Sequence, residues 1–238
     1  MTTNRTNQNT DKKVKKDVQT TTHFYILLDR SGSMESMKSD VIGGYNAFIA
    51  EQQTVKGKAK VTLVQFDSQE PQEVLADAKN IGDITPLTGE MFSPRGGTPL
   101  LDASAQLIER VLGRRNLRKI TGKNHEEIVF ITITDGEENQ STKTSLKDIT
   151  KLIKQGKEDG WSFVFLGAGI DAYAEATRLG YDTGSVQAWE PEGESAKTMW
   201  GSVSRASKSL REDVYNQISM DKKAFFRGVK EAEQQRDL

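Results

Sequence analysis

The stretch FYILLDRSGSM, Phe24 to Met34, changes character at its middle. Phe24 to Leu28 are apolar. The run is short and bounded by polar residues, which predicts a strand covered on both faces. Asp29, Ser31 and Ser33 then place oxygen on alternate positions of a loop that contains Gly32. Short side chains spaced in this way can point in one direction and reach one common point. Longer ones would overshoot it.

Around this stretch, buried strands alternate with amphipathic helices. Met34, Met37, Val41, Ile42, Tyr45, Phe48 and Ile49 recur at spacings of three and four, which predicts a helix ending near Gln53. KVTLVQFD (60–67) and PQEVLAD (71–77) predict an antiparallel edge hairpin, where Pro71 is tolerated. Residues 78–97 read as loop. TPLLDASAQLIERVL (98–112) predicts a helix, with Thr98 as N-cap and Pro99 in the first turn. EIVFITITDG (127–136) is rich in β-branched residues and predicts a central strand. Ser145 opens a helix carrying Leu146, Ile149, Leu152 and Ile153. WSFVFLGAG (161–169) predicts another strand. Asp171 and Gly180 bracket a short helix, and TGSVQAW (183–189) a last strand.

The order implies an α/β fold: a Rossmann-like, doubly wound, mostly parallel sheet with one antiparallel edge strand and helices on both faces. Residues 1–20 are polar and read as a disordered tail, and 21–190 form the α/β domain. Residues 191–238 read as a helical extension. In it Ala196, Met199, Trp200, Val203, Ala206 and Leu210 mark one helix, and 221–235 mark a second. Met199, Trp200, Phe225 and Phe226 are expected to pack on the domain's flank.

The 238 residues carry a formal net charge of −1, so the balance asks for neither nucleic acid nor an anionic membrane as partner. The absence of cysteine excludes disulfides, thiolate ligands and a cysteine nucleophile. The N-terminal residues contain no apolar run of a secretory signal, and no stretch reaches the length of a membrane span. The expected address is cytoplasmic.

In a doubly wound sheet, loops leaving the C-terminal ends of parallel strands share one edge, and ligands bind there. Asp29, Ser31 and Ser33 leave the first strand at that edge. Asp135 leaves the central strand there. Gly96, Gly97 and Thr98 start a helix that begins at the same edge. Two carboxylates and three hydroxyls converge. An all-oxygen set suits Mg²⁺ or Mn²⁺, with Ca²⁺ behind them, and does not suit zinc. So few charged groups leave such an ion electrophilic, with a coordination position open.

D-x-S-x-S after the first strand, a Gly-Gly-Thr turn, and T-D-G after a hydrophobic strand resemble the metal-ion-dependent adhesion site (MIDAS) of von Willebrand factor A (VWA) domains. The likeness covers about residues 23–189, including FLGAGID, and is to the intracellular bacterial or phage-like type. It implies Asp29, Ser31, Ser33, Thr98 and Asp135 as metal ligands on top of a Rossmann-like sheet. It also implies a partner protein that supplies an Asp or Glu as the last ligand. Members without a signal sequence often serve as adaptors within assemblies, some with AAA+ ATPases.

Other features are weaker. Glu35, Glu137 and Glu138 read as acids of helix first turns. Arg30 and Arg95 flank the ligands and could hold a partner's carboxylate or lie in solvent. GRRNLRKITGKNH (113–125) is basic, but it joins a helix end to a strand start at the opposite edge and lacks interleaved aromatics, so it reads as a solvated loop. His23 and His125 also fall at that edge. The expected function is therefore a metal-dependent adaptor and not an enzyme. The alternative, a metal-dependent hydrolase, has only carboxylates such as Glu35 or Glu137 as general base. A nucleotide-binding reading has only the G-A-G of FLGAGID behind it.

Overall fold

A computed structural model describes residues 20–168, 171–189 and 194–218. Nearly all of the polar tail, Gly169 and Ile170 of FLGAGID, Phe225, Phe226 and the predicted helix at 221–235 lie outside the described residues.

Strand β1 (Thr21–Asp29) lies between two parallel neighbours, β2 (Ala59–Phe66) and β4 (Glu126–Thr134). Beyond β4 follow β5 (Ser162–Ala168) and β6 (Val186–Trp189), also parallel. Beyond β2 lies β3 (Glu73–Asn80), the antiparallel edge strand. The sheet order is β3-β2-β1-β4-β5-β6. The fold is thus the expected mostly parallel, Rossmann-like sheet.

Side chains alternate across a strand, so β1 feeds two cores. Phe24, Ile26 and Leu28 point to one face and pack with helices α1 (Lys38–Thr54) and α5 (Glu194–Asn216). Tyr25 and Leu27 point to the other and pack with α2 (Leu100–Ile120), α3 (Leu146–Glu158) and α4 (Ala172–Leu179). A continuous apolar run is what a strand buried on both faces requires.

Several local expectations hold. Ser145 caps α3 in a reciprocal box with Asp148, and Asp171 accepts from the Ala174 amide at 3.0 Å. Gly180 ends α4 with φ of +99°. Others shift. A 3-10 turn, Gly32–Met37, precedes α1, yet Met34 and Met37 stay on the buried side. Residues Thr183–Ser185 form a 3-10 turn ahead of the four-residue β6.

The largest shift is in α2. It runs eight residues past Leu112 to Ile120, through most of the basic stretch read as loop. Arg, Leu and Lys are good helix formers and carry the helix to Ile120, just before Gly122, whose φ is +65°. Cations near a helix C-terminus also complement its dipole. Arg115 pairs with Asp159. Arg118 pairs with Glu126 at 3.2 Å and donates to the Asn124 carbonyl at 2.8 Å. The cleft they help line, about 430 Å³, lies at the sheet edge opposite the Asp29 loop, as the topology requires.

Helix α5 lies tightly on α1. Met199, Trp200, Val203 and Leu210 are buried, and a Cβ added at Gly44 would come within 1.9 Å of the Trp200 ring. The rings of Phe48 and Trp200 are 6.0 Å apart. Arg211 is buried and binds the carbonyls that end α1: Gln52, and Val55 and Gly57 at 3.0 Å each. The Gln52 carbonyl also accepts from the Val55 amide at 3.3 Å, and Val55 and Gly57 lie just past the helix, so this arginine closes the end of α1 from another element. Among the described residues no helix is long and apolar enough to cross a membrane.

Because Gly44 is the contact point, Gly44→Ala should destabilise the protein by about 1–3 kcal/mol through overpacking against Trp200. Urea unfolding followed by tryptophan fluorescence reads this directly. An unchanged midpoint would show that the indole moves aside freely.

Candidate metal centre

Asp29 ends β1 and is fully buried. Its Oδ1 accepts from the Ser31 amide at 2.7 Å, and its Oδ2 accepts from the Thr134 hydroxyl at 2.6 Å. Thr134 ends the neighbouring β4, so the parallel pairing of the two strands brings this bond about. The Ser31 and Ser33 hydroxyls lie 3.1 Å apart, and Ser33 Oγ donates to Asp135 Oδ1 at 2.8 Å. A connected set of oxygens thus runs from Asp29 through both serines to Asp135.

Thr98 reaches the same place from a third loop. A Cβ added at Gly136 would lie 3.1 Å from its Oγ1, so its hydroxyl sits against the turn that holds Asp135. Asn139 fixes the backbone: Thr98 N donates to Asn139 Oδ1 at 2.9 Å, and Asn139 N donates to Thr98 O at 3.2 Å. The predicted capping role of Thr98 is not observed. Pro99 directly precedes α2, and no side chain caps from that position. The orphan amides go elsewhere: Leu101 N donates to Glu138 Oε2 at 2.8 Å, and Asp102 N to Ser141 Oγ at 3.0 Å.

The neighbouring charges are differently employed than their positions suggest. Glu138 also accepts from Ser141 N and Oγ, both at 2.6 Å, and so ties the loop after β4 to the start of α2. Glu35 and Glu137 are exposed. Arg30 is buried, not solvated, and its Nε donates to Asp67 Oδ2 at 2.8 Å. Arg95 Nε donates to the same oxygen at 3.0 Å. Neither arginine waits unpaired for a partner's carboxylate.

Asp29 and Asp135 stand apart electrostatically. Burial pushes the Asp29 carboxyl up to about 7, against the hydrogen bonds from Thr134 and Ser31, and the charge of Asp135 adds to the rise. Burial raises Asp135 as well, opposed by Ser33 and Ser31. Among the described residues neither has a basic ion-pair partner. Asp67 is the contrast. Burial would raise it too, but the Glu70 and Gln69 amides and the Arg95 and Arg30 guanidiniums hold it below its ordinary value. Among the described residues no three His, Cys, Asp or Glu side chains cluster as a metal cage. The set here has two carboxylates, and its other members are hydroxyls. It is hard, oxygen-only and short of positive charge, which fits a divalent cation of the Mg²⁺ type. Ser33 is exposed and Asp135 half-buried, so the set opens to solvent.

Thr134, Asn139 and Asp67 were not singled out from sequence. Thr134 carries a signal after the fact: in ITITD its hydroxyl faces the same edge as Asp135 and neighbours β1. Asn139 and Asp67 act through loop geometry that no spacing encodes.

No family model matches this sequence, and no curated protein sequence matches it. Solved structures do. One is proximal thread matrix protein 1 from the mussel byssus, with zinc-occupied MIDAS motif. The likeness has 14% identity and a TM-score of 0.55, over 81% of this chain and 47% of that one. A second is the pilus adhesin SpaC from Lactobacillus rhamnosus GG, open conformation, at 11% identity and a TM-score of 0.56, over 81% and 30%. A von Willebrand factor type A protein from Catenulispora acidiphila is also similar, at 14% identity and a TM-score of 0.48, over 82% and 43%, which adds no weight. This chain spans less than half the length of each. At these identities the likeness is one of fold: a mostly parallel, Rossmann-like α/β sheet.

The raised carboxyls set a pH dependence. Asp29 ionises near 3.8 in the unfolded chain and near 7 in the folded, metal-free one. Its contribution is fully present below the lower value and is lost as pH rises through the upper one. His23, held below its usual range chiefly by burial, acts in the opposite sense below neutrality. The carboxyl is therefore isolated by comparing variants. Metal-free wild type should lose stability between about pH 4 and 7 relative to Asp29→Asn, and change little above that. Parallel pH profiles in urea unfolding would contradict the burial argument.

Proposed function

We propose that the chain is a divalent-metal-dependent protein-binding module. Asp29, Ser31, Ser33, Thr98 and Asp135 would hold Mg²⁺ or Mn²⁺, with Ca²⁺ a poorer fit, in a MIDAS-like arrangement. The bound ion would supply an electrophilic open position for an Asp or Glu of a partner protein. The observation that carries this is the pair of carboxylates, buried Asp29 and half-buried Asp135, linked through two serine hydroxyls with no basic ion-pair partner among the described residues. The zinc-occupied MIDAS of the mussel protein and the adhesive role named for SpaC support the reading by likeness of fold.

The chain's own residues have clear parts. Thr134 and the Ser31 amide orient Asp29, and Asn139 holds the Thr98 backbone. Exposed Ser33 lies where a partner would approach. We do not assign catalysis. His23 is committed to Thr62 at 2.9 Å and Glu126 at 3.3 Å at the far end of β1, and His125 precedes β4 at that same end. We place the module in the cytoplasm, engaging an assembly component such as an AAA+ ATPase rather than nucleic acid or membrane.

Calorimetry tests it. Wild type should bind one Mg²⁺ or Mn²⁺, and Asp135→Ala should weaken binding by more than about a hundredfold while remaining folded. Equal heats from both proteins would refute the site. Metal-dependent turnover of phosphate or carboxylate esters, abolished by Asp29→Ala, would favour a hydrolase instead.

A further inference from the structure

Asp67 follows β2 and is fully buried, although it belongs to none of the three predicted ligand loops. One of its oxygens accepts from Arg30 and Arg95. The other accepts from the Gln69 amide at 2.6 Å and the Glu70 amide at 2.9 Å. Arg30 stands between Asp29 and Ser31, and Arg95 stands three residues before Thr98. One carboxylate therefore grips two of the ligand-bearing loops.

The backbone follows the same lines. Arg95 N donates to Arg30 O at 2.8 Å, Gly32 N to Gly96 O at 3.0 Å, and Ser68 N to Gly97 O at 3.0 Å. Gly97 N donates to Ser68 Oγ at 2.9 Å. Gly96 has φ of +68°, and a Cβ there would lie 2.6 Å from Ser68 Oγ, so only glycine fits this seam.

We propose that Asp67 is a positioning residue for the metal centre, clamping the DRSGS loop to the RGGT loop so that Thr98 meets Ser31 and Ser33 at fixed spacing. The inference rests on the metal-binding reading above. Its physical basis is charge. Without the Asp67 carboxylate, Arg30 keeps only Glu73, whose side chain is 40% exposed, and faces a second guanidinium. With Arg30 buried and Arg95 partly exposed, two like charges left facing each other would part the loops that carry them. In Asp67→Asn an amide N–H group would confront two donors.

The test uses the full chain with Asp67→Asn, Arg95→Ala and, as a control for simple destabilisation, Ile153→Val on the α3 face. Mn²⁺ affinity is measured by paramagnetic resonance. Amide exchange at Gly32, Arg95 and Gly97 is measured on metal-free protein. Asp67→Asn and Arg95→Ala should each weaken Mn²⁺ by about tenfold or more and speed exchange at those amides. Ile153→Val should do neither. If Asp67→Asn does not fold, Arg95→Ala decides. Unchanged affinity and exchange in the folded variants overturn the clamp, as does an equal loss in Ile153→Val. If wild type binds no Mn²⁺, the metal reading falls, and the exchange data alone uphold or overturn the clamp.

Discussion

Asp29 is a carboxylate sealed at the end of the central strand, held by a backbone amide on one side and a threonine hydroxyl on the other. A group in that position is costly to ionise, and the charge that acts on it, Asp135, carries the same sign. The surrounding structure keeps it there all the same. Parallel pairing of β1 with β4 sets Thr134 beside it, and the short D-x-S-x-S loop turns two hydroxyls back toward Asp135. The arrangement makes physical sense if positive charge arrives from outside the chain.

The sheet supplies the rigidity such a site needs. β1 is buried on both faces, so its register is fixed by two cores at once, and a slip of one residue would exchange them. Helices α1 and α2, which follow two of the three loops of the proposed site, are each fastened elsewhere. Arg211 of α5 holds the end of α1. Asp102, near the start of α2, accepts the amides of Thr142 and Thr144 at 2.9 and 2.7 Å. The loops can thus be short and polar without being loose. The Asp67 seam joins them to each other, as the helices join them to the body.

Much of this was legible from residue patterns because two-sided burial writes itself as uninterrupted apolar runs. FYILLD, KVTLVQF and EIVFITIT each appear as strands nearly where expected. That the loops carrying Asp29, Ser31, Ser33, Thr98 and Asp135 share one edge followed from topology, since parallel strands present their C-terminal loops there. What stayed hidden depends on tertiary partners. The basic stretch after Gly113 looked like loop because its charges have no apolar period, yet Asp159 and Glu126 supply partners that carry the helix on to Ile120. Thr98 looked like a cap because it stands beside Pro99 at the start of a helix pattern, and the structure puts its hydroxyl against the Gly136 turn instead. Its neighbours Glu138 and Ser141 take that task. Whether Arg30 lay in solvent or awaited a partner's carboxylate stayed open in the sequence because nothing local reveals a buried Asp67 from another loop.

Anomalous diffraction from crystals grown with Mn²⁺ tests the central claim most directly. The account predicts one strong peak about 2.0–2.3 Å from the Ser31 and Ser33 hydroxyls, within the cage completed by Thr98, Asp29 and Asp135. Its remaining position should face water or a carboxylate. A crevice without a peak, with Asp29 protonated and the serines bonded only to each other and to Asp135, would contradict it.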